Sequence, residues 1–543
     1  MSDNSSSDDE TDTSTTRRSF VEYGIEEKPP IGESILLGVQ HYLTMIGATV
    51  AIPLALIGTM NAVAAEGMAM PASAQAKLIG TFFVVSGIAT VAQTTIGNRY
   101  PIVQGGTFSM LAPGIAIILT VGARGGVGYE VMLQELQGAV IVAALFEVVI
   151  GYAGIMGWLK RYMSPVVIAP VIALIGLALF NVPQITNPNF AGPGTGQNWW
   201  LMGLTLLLII AFSQYLDRYS RFARLFPVLL GVGVAWLLAA GFTAAGVFAP
   251  GSISGVNFGQ VTNAQPLQII YPLQWGIPQF TPAFVVGMFA GVLASMVESF
   301  GDYHAVARLS GVSAPSRKRI NHGIGMEGLG NVFAGIMGTG NGSTSYSENI
   351  GAIGITGVAS RYVVQVGAVV MLLVGFVGYF GQLVATIPTP IVGGLFIAMF
   401  GQIAAVGLSN LKYVDLDSSR NVFIVGLSLF AGLAIPAYVG TVGQGMDLSG
   451  AEAFQAGLSE VAVLGPVLGS DIVAQTLFVI GGTGMAVGGL IAFVLDNTVE
   501  GTRKERGLEE WEAIAEEESE FRSIFDRLGV TGEDEQPPAP GSD

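Results

Sequence analysis

Four acidic side chains stand inside strongly apolar stretches, Glu147, Glu298, Glu327 and Glu348, and Asp302 lies just past one. Carboxylates are costly in hydrocarbon, so each is a candidate for function. Glu298 and Asp302 are spaced i, i+4 in "MVESFGDYHAVARLSG", which puts both on one helix face. Glu348 sits beside Asn349 in "GTGNGSTSYSENIGAIGITG", a run of glycines and small polar residues. Glu147 and Glu327 have no such company, and bonding between helices explains them equally well. An ionised carboxylate accepts hydrogen bonds from the ring N–H groups of a flat heterocycle. A carboxylate held away from water can also take up and release a proton near neutral pH. Two of them facing one pocket suit a proton-coupled carrier of a neutral, hydrogen-bonding solute. Gln40 and His41 fall together in "GVQHYLTMIGATVAIP". A lone histidine in such a stretch is usually a structural hydrogen-bonder. Phe108 lies in "PIVQGGTFSMLAPG", where an aromatic ring in a glycine-flanked break can stack on a planar solute. His304 and His322, near a basic loop, read as surface residues.

The elements that must position these residues are apolar and numerous. The 543-residue chain is 51% hydrophobic and only 11% charged, with a mean hydropathy of +0.60. A soluble enzyme is excluded. Without cysteine there is no thiol nucleophile, and three histidines without an HExxH pair leave little for a metal-dependent hydrolase. Fourteen segments qualify as candidate membrane spans: 35–58, 76–97, 102–120, 137–157, 163–183, 199–214, 225–246, 282–301, 322–338, 343–356, 362–385, 389–407, 421–436 and 473–495. With the N-terminus inside, alternation places 21 of the 23 lysines and arginines on the inner side, leaving only Lys77 and Arg124 outside. Both termini are thus expected in the cytoplasm. The net charge of −16 is concentrated in two tails: residues 1–34 carry nine acids against three bases, residues 500–543 fourteen against five. Both read as disordered and solvated, and the first lacks the features of a cleaved signal peptide.

Two segments cannot be ordinary apolar helices. Segment three is bounded by prolines and contains paired glycines, and segment ten is the glycine-rich run around Glu348. They hold the same place in two halves of seven. Glycine-broken segments at matching positions point to the central site of a transporter.

These residues carry a resemblance. From about residue 31 to 500 the chain resembles the nucleobase–ascorbate transporter family, the xanthine/uracil permeases. The family signature [Q/E/P]-N-x-G-x(4)-T-[R/K/G] is matched by Glu348, Asn349, Gly351, Thr356 and Gly357. The first-span Gln–His pair matches Gln40 and His41. The "ESFGDY" block runs from Glu298 past Asp302, and the third-span stretch matches Pro101, Phe108 and Pro113.

The resemblance implies an all-α polytopic membrane protein, with fourteen transmembrane segments in two inverted repeats of seven and short broken segments 3 and 10. Segments 1–4 (35–157) and 8–11 (282–385) form a core domain. Segments 5–7 (158–281) and 12–14 (386–499) form a gate domain, which often makes a homodimer. The tails 1–34 and 500–543 are cytoplasmic, and the core moves against the gate like an elevator. The implied substrate is a nucleobase, uracil or xanthine, bound by Glu298, Glu348, Phe108, Ala48, Tyr346 and Ser347. His41 braces Asn349 with Gln40 alongside, and Asp302 stands where some relatives have histidine. Family members with proline at the first signature position take ascorbate, so Glu348 disfavours it. A sodium site needs several oxygen ligands and none is dedicated here, so a proton is the expected coupling ion. No enzyme activity, cofactor, metal or nucleic-acid partner is expected. A sulfate- or bicarbonate-type anion transporter of the same architecture, or a channel, is the alternative.

Overall fold

A computed structural model of the chain describes residues 21–156, 162–186, 198–250, 252–443, 450–508 and 521–528. The first half comprises α1 (Ile31–Val63), α2 (Ala72–Thr95), β1 (Gln104–Gly105), α3 (Leu111–Gly122), α4 (Tyr129–Tyr152), α5 (Pro165–Leu177), α6 (Trp199–Ile210) and α7 (Pro227–Ala244). The second comprises α8 (Pro282–Leu309), α9 (Arg317–Met337), β2 (Thr344–Ser345), α10 (Ser347–Thr356), α11 (Arg361–Gly375), α12 (Thr389–Ser409), α13 (Ser419–Val439), α14 (Asp471–Gly481) and α15 (Gly484–Thr498). Proline opens α5, α7 and α8, where its missing N–H has no helical partner to lose. Ser316 and Ser360 cap α9 and α11 by accepting the Arg319 and Val363 amides.

Each of the fourteen apolar stretches holds at least one helix. Among the described residues, seven helices are long and apolar enough to cross a membrane alone, and α14 with α15 make a pair bent by 93°. The stretch 362–385, read as one segment, is broken after Gly375 and resumes as the short helix Gly378–Ala385. Stretches three and ten are each a strand followed by a short helix. Gly338 ends α9 in a left-handed turn, φ 79°, which frees the chain to enter β2.

Packing is reciprocal between the halves. α2 lies against α11 as α9 lies against α4, and α1, α3, α8 and α10 pack among them; these helices are termed the core. The α4–α9 crossing brings backbones so close that a Cβ on Gly151 would clash with the Gly325 nitrogen. Among the remaining helices, termed the gate, α5 lies against α12, and α6 with α7 mirrors α13 with α15. His322, expected on the surface, is buried: Tyr152, Phe521 and Phe525 surround its ring at centroid distances of 5.5, 6.0 and 5.4 Å.

The tails are not free throughout. Residues 21–30, expected in a disordered tail, are seated along the connection from α10 to α11. The Glu22 amide donates to Gly357 O (2.7 Å), Ala359 to Tyr23 O (2.8 Å) and Arg361 to Ile25 O (3.1 Å). Glu26 accepts from Arg361 (2.7 and 3.0 Å) and Arg99 (2.9 Å). In the C-terminal tail, Arg506 pairs with buried Asp496 (2.7 Å) on the gate and Asp526 with Lys318 (2.6 Å) on the core. The disorder expected of 1–20, 509–520 and 529–543 lies outside the described residues.

Partial burial opposes the Glu26 charge, but the hydrogen bonds and charges of Arg361, then Arg99, outweigh it and hold this carboxyl below the ordinary glutamate value. A depressed folded-state value stabilises above the unfolded value and ceases to do so as pH falls through the folded one. Glu26→Gln is therefore expected to melt below the parent at neutral pH, with the gap closing as pH drops below about 4. A melting gap that persists in acid rules out this clasp as its cause.

Candidate functional site

The centre of the core domain is the antiparallel pair β1–β2, with Gln104 opposite Ser345 and Gly105 opposite Thr344. Two-residue strands leave most neighbouring backbone groups unsatisfied, and no water is available to satisfy them in a bilayer. Side-chain amides fill the gap. Asn349 Oδ1 accepts from the Val103 amide (2.8 Å), and Asn341 both accepts from Thr107 N (2.7 Å) and donates to Thr107 O (3.1 Å). Asn331 Oδ1 accepts from the Ser343 amide, and Thr90 Oγ1 from Gln104 N (2.8 Å). His41 Nδ1 lies 3.0 Å from Asn349 Nδ2, so α1 braces the start of α10.

In front of the strands is a cavity of about 460 Å³. Glu298 and Asp302 enter it from α8, Tyr346, Ser347 and Glu348 from the start of α10, and Phe108 from the segment before α3. Ile168, Ile172, Gln402, Ile403 and Val406 form the opposite wall from α5 and α12. Phe108 is held edge-to-face by Phe400, centroids 6.0 Å apart. Glu298 Oε2 is buried with no hydrogen-bond partner among the described residues. Because α10 begins at Ser347, the positive end of its dipole also stands at this cavity. The arrangement offers a flat, donor-rich solute two carboxylates, an aromatic face and a helix N-terminus.

Asp302 is differently employed: its oxygens accept from Ser345 (2.8 Å) and Ser347 (2.7 Å). Ala48, expected to bind the base, is buried in α1 and does not line the cavity; Gln40, expected beside the brace, has a buried Nε2 with no partner among the described residues.

Behind the strands, Glu327 accepts from Ser299 (2.7 Å), Thr344 (2.7 Å), Ser295 (3.1 Å) and Tyr303 (3.2 Å), and Glu147 from Asn331 (2.6 Å). Both acids thus tie helices together. Sequence reading missed Asn331, Asn341 and Thr90, and with them the hydroxyl row Ser295, Ser299, Tyr303. That row repeats every four residues along α8, the one signal that pointed to a second polar face.

The His41–Asn349 contact fixes the helix that carries Glu348. Measured on substrate binding, His41→Ala and Asn349→Ala are expected to couple by about 0.5–3 kcal/mol in a double-mutant cycle, as contacting residues do. Strict additivity excludes the brace.

A model of the Permease family matches residues 32–441. The chain is 39% identical to Solute carrier family 23 member 2 of Homo sapiens, over 93% of this chain and 78% of that protein. It is 34% identical to Nucleobase-ascorbate transporter 1 of Arabidopsis thaliana, over 90% and 92%. Among solved structures, the murine Solute Carrier 26 family member A9 anion transporter in the inward-facing state aligns with a TM-score of 0.52 at 13% identity, over 75% of this chain and 66% of that one, a likeness of fold alone. With a family model matching residues 32–441 and these relatives spanning nearly its whole length, the chain belongs to the nucleobase–ascorbate transporter family of permeases and is a multi-pass membrane transporter.

Proposed function

We propose that the protein is a secondary active transporter that imports a nucleobase, uracil or xanthine, across the cell membrane by proton symport, with the core domain moving against the gate. The observation that carries this reading is the placing of Glu298 and Glu348 on one cavity together with Phe108. Ring N–H groups donate to the two carboxylates, the α10 N-terminus receives a carbonyl oxygen, and Phe108 covers a ring face. Two carboxylates repel an anion, which disfavours ascorbate and the sulfate- or bicarbonate-type reading.

A neutral base gains nothing from the membrane potential, so accumulating it requires a co-transported cation. Protonation of a carboxylate needs a single group, and Asp302, one turn from Glu298, provides it. Arg308 and Lys412 line the mouth of the same cavity. By the distribution of basic residues that end faces the cytoplasm.

Uptake of a panel of labelled bases and ascorbate into proteoliposomes, with and without a proton gradient, tests the reading. Glu298→Gln and Glu348→Gln each remove a charge-assisted hydrogen bond of about 1.5–3 kcal/mol, an expected loss of base affinity of about 10- to 100-fold with normal expression. Parent-like kinetics in both variants would overturn the site.

The coupling ion is tested separately. Acidifying the outside at fixed internal pH is expected to raise uptake, and a protonophore to abolish accumulation. Asp302→Asn is expected to bind base yet lose the pH dependence. Full accumulation driven by a sodium gradient at equal pH on both sides excludes proton coupling and leaves the substrate class standing.

A further inference from the structure

Asp302, at the cavity, and Glu327, behind the strands, are joined by an unbroken series of short contacts through two serines. Ser345 Oγ lies 2.8 Å from Asp302 Oδ2 and 2.9 Å from Ser299 Oγ, which lies 2.7 Å from each Glu327 oxygen. All four residues are buried. The series has three links, and each link needs one proton. The two hydroxyls supply one proton each and a carboxylate supplies none. The series therefore closes only when one of the two acids carries a proton.

Two arrangements satisfy this count. With the acid proton on Asp302, Asp302 donates to Ser345, Ser345 to Ser299 and Ser299 to Glu327. With it on Glu327, every donation reverses. We infer that Ser299 and Ser345 relay one proton between the cavity carboxyl Asp302 and Glu327. In the forward step the Asp302 proton passes to Ser345 Oγ, the Ser345 proton to Ser299 Oγ and the Ser299 proton to a Glu327 oxygen. Three O–H bonds break and three form, no proton is gained or lost, and one negative charge moves from Glu327 to Asp302.

The surroundings decide which arrangement holds. Asp302 also accepts from Ser347 and faces Glu298 on α8 and Glu348 on α10. Glu327 also accepts from Ser295, Thr344 and Tyr303 and faces Glu147 on α4. No lysine, arginine or histidine pairs with either acid among the described residues. Ionised Glu298 or Glu348 holds the proton at Asp302 by like-charge repulsion. A base whose N–H groups engage those carboxylates weakens that hold and lets the proton pass to Glu327. The relay rests on the proton-coupled reading and adds to it a second station for the proton, remote from the bound base, with Ser299 as a positioning residue.

The test uses the purified full chain. Infrared spectra of the substrate-free protein at neutral pH are expected to contain one carboxylic-acid C=O band that Asp302→Asn and Glu327→Gln both abolish, since the amide put in place of either acid supplies the third proton of the series and leaves the other acid ionised. Separate bands lost in the two variants, or none lost, overturn the relay. In proteoliposomes Ser299→Ala is expected to keep base counterflow at equal pH but to lose about tenfold or more of its proton-driven accumulation, the scale of a removed proton-transfer group. Accumulation at the parental level in Ser299→Ala also overturns it. Failure of the parent to transport any base sinks the proposed substrate class, while the infrared comparison still decides the relay, as it does if Ser299→Ala does not fold.

Discussion

The constraint on which this structure depends is that two strands of two residues each are buried at the centre of a membrane domain. A helix satisfies its own backbone, whereas a break does not, and lipid supplies no partner. Four side chains meet that demand: Asn349, Asn341, Asn331 and Thr90 take the amides of Val103, Thr107, Ser343 and Gln104. Each also fixes a tertiary relation. Asn349 reaches His41 on α1, Asn331 reaches Glu147 on α4, and Thr90 belongs to α2. The groups that make the break tolerable are therefore the ones that hold the surrounding helices around it. An unsatisfied buried polar group costs about 1–3 kcal/mol, so each of these side chains adds to what packing alone supplies.

Once the backbone is satisfied, the remaining polar groups divide into two kinds. Behind the strands, Glu327 has four hydroxyl neighbours, and Glu147 takes Asn331 on Oε2 while its Oε1 has no partner among the described residues. Glu298, which has an oxygen without a partner among the described residues, lines the cavity together with Asp302 and Glu348. The division is geometric. On α8 the row Ser295, Ser299, Tyr303 turns towards α9, while Glu298 and Asp302 turn outward. One helix thus turns hydroxyls towards the scaffold and carboxylates towards the cavity, and Asp302 touches both.

That division was only partly legible in the sequence. Glu298 and Asp302 share a face because of their spacing, and the proline- and glycine-rich composition of segments three and ten excluded ordinary helices. The pairing of Asn349 with His41, far apart in sequence, was carried by resemblance and not by any local pattern. Asn331 and Asn341 sat unnoticed among glycines, because a bond from side chain to a distant backbone leaves no periodicity. Ala48 shares α1 with His41, but helix direction placed it off the cavity. The tails misled for a related reason: their composition is that of solvated chain, yet Glu26 and Asp526 find arginine and lysine partners on the core that only the folded structure brings near.

The two walls of the cavity differ in kind, and the difference bears on how a core domain can carry a solute past a gate. The acids and the α10 N-terminus all belong to the core. The gate contributes Ile168, Ile172, Ile403 and Val406, with Gln402 the exception, and its other polar lining residues, among them Ser409, Asn410 and Lys412, collect at the mouth. A solute hydrogen-bonded only to the core keeps its bonds when the core moves. An apolar gate wall makes none that must break, and dispersion contacts are replaced by similar ones as the surfaces slide. The cost of displacement then falls on the polar contacts at the inner edge, where the C-terminal tail engages Asp496 on the gate and Lys318 on the core. In the proposed elevator motion those edge contacts, and not the bound solute, resist the movement.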